Sequence, residues 1–566
     1  MSLAELESRG LLDLVDVQLA RALSRMCDPS SPEVELAIAL TSRNVRRGHS
    51  CFPIGMSASD IWPRDAVSPD ALPDSTMWKH TLTNTGLTRE GPLVLDEAGR
   101  LYLRRYWQLE QDIAEELAAR SVAPPIIPGD SPWLDASLNR LFPRDSPQRQ
   151  AALNALAHRV SLLCGGPGTG KTTTVAAIVA LIVEGRLRET GTAPRVALLA
   201  PTGKSAARLG EAVREAKARI QTSVEILEQI PEQAKTVHRA LGMQRTGMHF
   251  RHNADRPLEA DVIVVDEASM IDLALMRQLL DATSRDATLL IVGDPDQLTS
   301  VEAGSVLRDL VAASTQTWWR GRVTHLTRTY RYDEKRPLGQ LVAAVRNGEG
   351  AIVEALLERG GGGDVTWTPL EGLGAELDRA ADHWARALTA RSPAEHFELR
   401  GRFVMLSPFR RGPVGTRQLG AAIRGRLPGP AGNAPAVTPI IIEQNSHELG
   451  VYNGDFAMLV DTDPPTATVQ SDAEEFPEIA AARLPRFSDA FVLSVHKAQG
   501  SEFDEVLFVL PKEDAPLLTR ELFYTAVSRA RERVRVVGPK GVVAAALERR
   551  AQRHSGLVDA IDKARD

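Results

Sequence analysis

The feature that most restricts this chain is Gly165-Gly166-Pro167-Gly168-Thr169-Gly170-Lys171-Thr172. It follows the apolar run Arg159–Cys164 and precedes a helical stretch beginning near Thr173. A glycine-rich loop at that junction points successive N–H groups inward around phosphate oxygens, and the helix N-terminus adds a favourable dipole. Lys171 then reaches the β- and γ-phosphates, and the Thr172 hydroxyl ligates Mg2+. Such a loop belongs at the carboxyl end of a strand in a parallel, helix-covered sheet.

The surrounding sequence supports such a sheet twice. Strands are predicted at Arg159–Cys164, Arg195–Ala200, Asp261–Val265 and Thr288–Val292, and again at Arg402–Leu406, Phe491–Val495, Glu505–Leu510 and Arg533–Val537. Continuous apolar strands separated by helical stretches read as a parallel sheet buried on both faces. The predicted organisation is a helical N-terminal domain over 1–120, a Pro-rich linker over 121–145, a first α/β domain over 146–320 and a second over 321–566. A charged insertion is predicted at about 211–258 and a small β insertion at about 427–487.

Composition excludes several classes. The net charge, 67 − 73 = −6, is not that of a globally basic nucleic-acid binder, so a nucleic-acid partner must meet a local basic groove. Cys27, Cys51 and Cys164 are isolated and form no CxxC pair, which leaves disulfide and structural-zinc readings unsupported, His49 beside Cys51 included. The longest apolar run, Val175 to Val183, is too short to span a bilayer. Met1 to Gly10 carries two glutamates and no apolar stretch, so the expectation is a cytoplasmic chain without a membrane partner.

Further residues complete a phosphate-transfer site. Asp266-Glu267 ends the predicted strand Asp261–Val265, where Asp266 would hold Mg2+ and Glu267 would orient or deprotonate the attacking water. Gln297, in Gly293-Asp294-Pro295-Asp296-Gln297, is placed to sense the γ-phosphate. Arg331 and Arg529 supply the planar, permanently charged fork that suits a transferring phosphoryl group. If both come from the second α/β unit, the nucleotide sits in a cleft between two units. Asp461, Asp463 and Asp472 read as loop charges rather than a nuclease centre.

The order of these blocks resembles that of superfamily 1 helicases. After Gln148 and the phosphate loop come Ala200–Arg208, Thr236–Arg239, Asp266–Ser269, Gly293–Gln297, Thr329–Arg331, Val495–Phe503 and Tyr524–Arg529. Ala-Pro-Thr-Gly-Lys and Val-His-Lys-x-Gln-Gly-x-Glu resemble the branch that moves 5′ to 3′. Arg46–Pro53, Pro92–Asp96, Leu101–Trp107, Ser300–Val306, Asn453–Asp455 and Leu547–Arg550 with Ser555–Leu557 are similar to the RecD family, the alpha subunits of exodeoxyribonuclease V, the RecBCD complex. The resemblance covers nearly the whole chain.

It implies an α/β fold with two RecA-like parallel-sheet domains carrying inserted subdomains, plus a mainly helical N-terminal domain that docks on a RecC-like partner. It implies that Gln148 reads adenine, that Gly165, Gly166, Pro167, Gly168, Thr169, Gly170, Lys171, Thr172 and Thr173 hold the phosphates and Mg2+ of ATP, and that Glu502 contacts the ribose. Gln297, Arg331 and Arg529 would meet the γ-phosphate. Thr202, His238 and His496 would face the DNA backbone. The implied activity is an ATP-dependent 5′-to-3′ DNA helicase, in a heterotrimer with RecB-like and RecC-like subunits, acting on single-stranded DNA at duplex ends during recombinational repair, with any nuclease in a partner. A stand-alone RecD-like helicase and a DNA-stimulated ATPase that unwinds little alone are the alternatives. Members of the stand-alone type usually carry a longer extension than the roughly 145 residues before Gln148, which favours the subunit. One departure is Ser528 before Arg529, where the family usually has Thr; the hydroxyl is kept.

Overall fold

The computed structural model describes residues 2–565 except 27–30, 63–71, 243–249, 316–317, 334, 360–362, 430–434, 447 and 471–475. Cys27 and Asp472 lie outside the described residues.

The N-terminal part has its own apolar core. Its helices include Leu14–Ser24 and Pro32–Arg46. Ser31 caps the second by accepting from the Val34 N–H, with Pro32 at the first turn where its missing donor costs nothing. These helices cover a small antiparallel sheet of β1 (Phe52–Pro53), β2 (Leu93–Leu95) and β3 (Arg100–Leu103), with β3 central.

The first large sheet contains β4 (Val160–Gly165), β5 (Val196–Ala200), β6 (Lys235–Thr236), β7 (Val262–Val265), β8 (Thr288–Gly293) and β9 (Val323–Leu326) in the order β6-β5-β7-β8-β4-β9. All its pairings are parallel. β4, β7 and β8 are buried along their whole length because helices cover both faces. The second large sheet contains β10 (Val365–Thr368) and β11 (Phe403–Ser407). The chain then leaves it to build an antiparallel sheet from β12 (Val437–Ile442), β13 (Phe456–Val460), β14 (Thr466–Val469), β15 (Glu478–Ala480) and β16 (Phe487–Asp489), in the order β15-β14-β13-β12-β16. It returns with β17 (Val492–Ser494), β18 (Phe503–Val509) and β19 (Ala530–Val537), giving the parallel order β10-β19-β18-β11-β17. The expected α/β architecture with two parallel sheets is therefore present. Among the described residues, no helix is long and apolar enough to cross a membrane.

Several predicted boundaries differ from the structure. The Pro-rich stretch read as a linker at 121–145 contains the helix Leu134–Leu141, and Ile126, Ile127, Leu138 and Phe142 are buried in one face of the first sheet. Proline breaks the regular backbone there without preventing apolar packing. Of the described residues in the stretch 211–258, β6 extends the sheet edge, and Ile226, Ile230, Val237 and Leu241 join its two cores. β9 pairs with β4, so the first sheet continues past residue 320; its short Val-Thr-His-Leu run is an edge strand with a weak apolar signal.

The ends of the chain also cross the predicted boundaries. The helix Arg104–Ser121 packs on the first sheet, where Arg120 donates to the Ser284 and Leu280 carbonyls at 2.8 and 3.1 Å, at the C-terminus of the helix Leu273–Ala282. The helix Leu557–Lys563 returns from the second sheet to the same core through Leu557 and Ile561.

Several of the non-catalytic blocks, from both ends of the chain and from Ser300–Val306, meet at one junction. Glu110 is fully buried and accepts from Ser50 Oγ at 2.6 Å, Ser555 Oγ at 2.9 Å and the Gly556 N–H at 3.1 Å. The His49 ring stacks on His554 at 4.6 Å, and the Gly304 N–H donates to the Gly48 carbonyl. Cys51 is buried and free there, as Cys164 is in β4. Burial raises the Glu110 carboxyl, and burial reinforced by Glu110 pushes Asp309 up to about 7 from 3.8. A raised acid is stabilising below its unfolded value, and that contribution is lost as pH rises from about 4 to about 7. Asp309→Asn does not titrate, so its Tm at pH 8 is expected to exceed wild type by roughly 3 °C, with no gain at pH 4. Thermal unfolding at both pH values checks this; equal shifts at the two would rule out Asp309 as the cause.

Candidate active site

The phosphate loop joins β4 to the helix Lys171–Thr190. Gly168 and Gly170 have φ of 74° and 80°, and Gly170 caps the helix. A Cβ on Gly168 would lie 2.2 Å from the Arg331 Cβ, so only glycine lets Thr329–Arg331 lie on the loop. The Tyr330 N–H donates to the Gly168 carbonyl at 2.7 Å. Lys171 Nζ donates to the Gly165 and Gly166 carbonyls at 2.8 and 3.0 Å, and Thr169 Oγ1 to Gly166 at 2.8 Å. Thr172 is half-buried and Thr173 exposed in the first helical turn.

Asp266 and Glu267 follow β7 in the same sheet. Glu267 has φ 52°, a left-handed backbone that costs a non-glycine residue ~1–2 kcal/mol and turns its carboxylate out of the strand line. Burial, then the Glu267 charge, pushes Asp266 up to about 6. Among the described residues no cluster of three or more His, Cys, Asp or Glu side chains could hold a metal by itself. One carboxylate and one hydroxyl beside a phosphate loop are a donor set that suits Mg2+, which takes its remaining oxygens from phosphate and water. The residues present therefore fit a nucleotide-bound Mg2+.

After β8, Gln297 is buried and donates to Asp294 Oδ2 at 3.0 Å. The second sheet reaches this point through the helix Arg520–Val527. Arg529 Nη2 donates to Gln297 Oε1 at 2.9 Å, Tyr524 Oη to Asp294 Oδ2 at 3.0 Å, and Thr525 Oγ1 accepts from the Leu298 N–H at 2.9 Å. A Cβ on Gly166 would meet Tyr524 Oη at 2.8 Å. Arg529 also donates to the Ser501 carbonyl at 3.3 Å and, at 3.4 Å, to Ser528 Oγ, so the retained hydroxyl is used.

Arg331 reaches the loop differently from the sequence expectation: it follows β9 of the first sheet rather than coming from the second. Glu502, expected at the ribose, is held by arginines. Its Oε1 accepts from Arg331 Nη2 at 2.5 Å and pairs with Arg208 Nη2 at 2.5 Å, and Oε2 accepts from Arg531 Nε at 3.3 Å. Burial alone would raise this carboxyl, but the charges of Arg208 and Arg331 outweigh it and hold it well below the usual carboxylate range. Gln148 lies half-buried in the first turn of the helix Pro147–Ala157, beside β9 and the Lys171 helix.

Thr202 precedes the helix Gly203–Lys217, His238 lies in the helix Val237–Leu241 and His496 opens the 3-10 turn His496–Ala498, just past the carboxyl ends of β5, β6 and β17 respectively. Thr202 caps the helix Gly203–Lys217 by accepting from the Ser205 N–H at 3.2 Å. Burial lowers both histidines, and Arg553 and Arg410 lower His496 further. Sequence reasoning gave no role to the basic hollow of about 520 Å3 at the ends of β11 and β17, lined by Arg410, Arg417, Arg486 and Lys497 around Glu443. These cations come from two stretches, 410–417 and 486–497, that are distant from each other in the chain. Asp294, Tyr524 and Arg208 were also missed as site residues, although each lies inside a quoted block.

Comparison with known proteins follows the same division. The family model described as the N-terminal domain of RecBCD enzyme subunit RecD matches residues 8–102, an AAA domain model matches 148–303, and a UvrD-like helicase C-terminal domain model matches 489–537. RecBCD enzyme subunit RecD of Mycolicibacterium smegmatis is 38% identical, covering 97% of this chain and 97% of its own. The protein of the same name from Mycobacterium tuberculosis H37Rv is 37% identical over 97% and 94%. The ATP-dependent RecD2 DNA helicase of Deinococcus radiodurans is 30% identical over 99% of this chain and 73% of its own. Among solved structures, Pif1 helicase from Candida albicans aligns with 74% of this chain and 98% of its own at a TM-score of 0.39 and 15% identity. With two full-length relatives above one-third identity and the N-terminal family model in place, the chain belongs to the RecD family.

Proposed function

We propose that this chain is an ATP-dependent DNA helicase that moves 5′ to 3′ on single-stranded DNA. It would act as the RecD-type subunit of a RecBCD-type helicase–nuclease, with RecB-like and RecC-like partners, at double-strand ends in the cytoplasm. The observation that carries the motor reading is the Gln297–Arg529 bond. It joins a residue following β8 of the first sheet to one preceding β19 of the second, beside the phosphate loop. A γ-phosphate bound there is read by both sheets at once, so its arrival and loss alter how the sheets meet.

In this reading the N–H groups of Gly165–Gly170, Pro167 excepted, and the Lys171 ammonium bind the phosphates, with Thr173 at the mouth of the site and Gln148 at the base. Mg2+, when bound, would be held by Thr172 and Asp266 and would neutralise phosphate charge. Lys171 exchanges its loop carbonyls for phosphate oxygens. Glu267 takes a proton from the attacking water, Gln297 orients that water, and Arg529 and Arg331 stabilise the charge on the transferring group. Thr202, His238, His496 and the Arg410–Lys497 hollow contact phosphodiesters, which gives grip without sequence preference.

Polarity is tested on duplexes with a 5′ or a 3′ single-stranded tail. The purified chain, and the assembly with the RecB-like motor inactivated, are expected to unwind the 5′-tailed substrate, with Lys171→Gln as the inactive control. Preference for the 3′ tail would sink the polarity, and ATPase indifferent to single-stranded DNA would sink the motor reading.

A further inference from the structure

Arg208 lies in the helix Gly203–Lys217, at the carboxyl end of β5 in the first sheet, yet its guanidinium is spent on the second. Nη1 donates to the Gly500 carbonyl at 3.0 Å and Nη2 meets Glu502 at 2.5 Å. The helix is pressed against the same loop: Gly500 has φ 69°, and a Cβ there would come within 2.4 Å of Ser205 Oγ. Ser205 in turn hydrogen-bonds Thr202, the residue placed towards the DNA. On the other side, Glu502 holds Arg331, whose Nη1 is buried without a hydrogen-bond partner and whose Cβ abuts the phosphate loop at Gly168.

We propose that Arg208 is a positioning residue for hydrolysis: it keeps Glu502 compensated, so that Arg331 can leave that carboxylate for the γ-phosphate, and it does so from the helix whose cap faces the DNA. The physical reason is charge balance. When Arg331 turns to the phosphate, Glu502 remains buried and needs another cation. Arg531 is 52% exposed, at the longer distance of 3.3 Å, and is a solvent-screened partner. Arg208 is the closer one at 2.5 Å. Without it, Glu502 retains Arg331. A displacement of the Thr202 helix by DNA also changes the grip of Arg208 on Glu502, which links the track to the nucleotide arginine. This deepens the motor reading and rests on it.

The test uses the full chain and oligo(dT). Arg208→Ala is expected to lower the DNA-stimulated kcat on the order of tenfold, with KM for ATP changed less than about threefold. Arg208→Lys should recover part of the loss, because an ammonium compensates Glu502 but does not also bridge Gly500. A double-mutant cycle with Glu502→Gln, read as affinity for ADP–aluminium fluoride, stays measurable where turnover is lost. Arg208→Ala should weaken that mimic about tenfold when Glu502 is present and less than about twofold in the Glu502→Gln background. Wild-type kcat in Arg208→Ala, or an equal loss in both backgrounds, overturns the proposal. Wild-type ATPase unmoved by oligo(dT) would instead count against the motor itself.

Discussion

Lys171→Gln is expected to abolish ATP hydrolysis, by on the order of a thousandfold or more, while leaving the fold intact. Among the described residues Lys171 donates to the Gly165 and Gly166 carbonyls of its own loop, so the amide breaks no long-range contact there. The lost quantity is positive charge at the position where negative charge develops on the transferring phosphoryl group. The loop N–H groups and the helix N-terminus remain, so nucleotide affinity should fall much less than turnover. Phosphate release with and without oligo(dT), beside binding of a fluorescent ATP analogue and a melting curve, separates these effects. Hydrolysis surviving in the variant would move the catalytic centre away from Lys171.

Arg529→Ala is expected to cost a comparable factor, on the order of a hundredfold to a thousandfold in kcat, but with a different signature. Arg529 is 2% exposed and its guanidinium satisfies Gln297 Oε1 and the Ser501 and Thr525 carbonyls. Removing it takes the guanidinium donor from Gln297 Oε1 and the Ser501 carbonyl, at ~1–3 kcal/mol each, while the Thr525 carbonyl keeps Ser528 Oγ, so the melting temperature should drop as well. Arg529→Lys should restore little. The donors of an ammonium radiate from one compact atom, whereas the planar guanidinium fork spans the gap between Gln297 and Ser501. Turnover and melting measured side by side for Lys171→Gln and Arg529→Ala would show whether the chemistry and the contact between sheets share one residue, as the geometry requires. Full stability in Arg529→Ala would mean that the Gln297 contact does not hold the sheets together.

Much of the architecture was legible in the residues. Val262–Val265, Thr288–Gly293 and Phe403–Ser407 fall within a residue or two of their predicted ranges, because strands buried on both faces must be apolar throughout. β9 and β6 were not legible. An edge strand buries one face, and Lys235–Thr236 is two residues long, so neither writes a periodic signal. The linker reading failed because proline reports on the backbone alone. The burial of Ile127 and Phe142 depends on neighbours that the local sequence does not name.

The division at the site has the same cause. Phosphate binding needs backbone N–H groups from neighbouring residues, so the loop Gly165–Thr172 pointed to a nucleotide site from the sequence alone, and the order of the blocks after it to the family. Contacts between distant residues were decided only by the tertiary structure. Glu110 and Ser555 meet although they are 445 positions apart, and that junction gives blocks with no catalytic group a packing role. Glu502 carries the same carboxylate wherever it stands in a chain. Its burial among Arg208, Arg331 and Arg531 makes it their counter-ion, because the energy of a charge depends on the surroundings the fold brings to it.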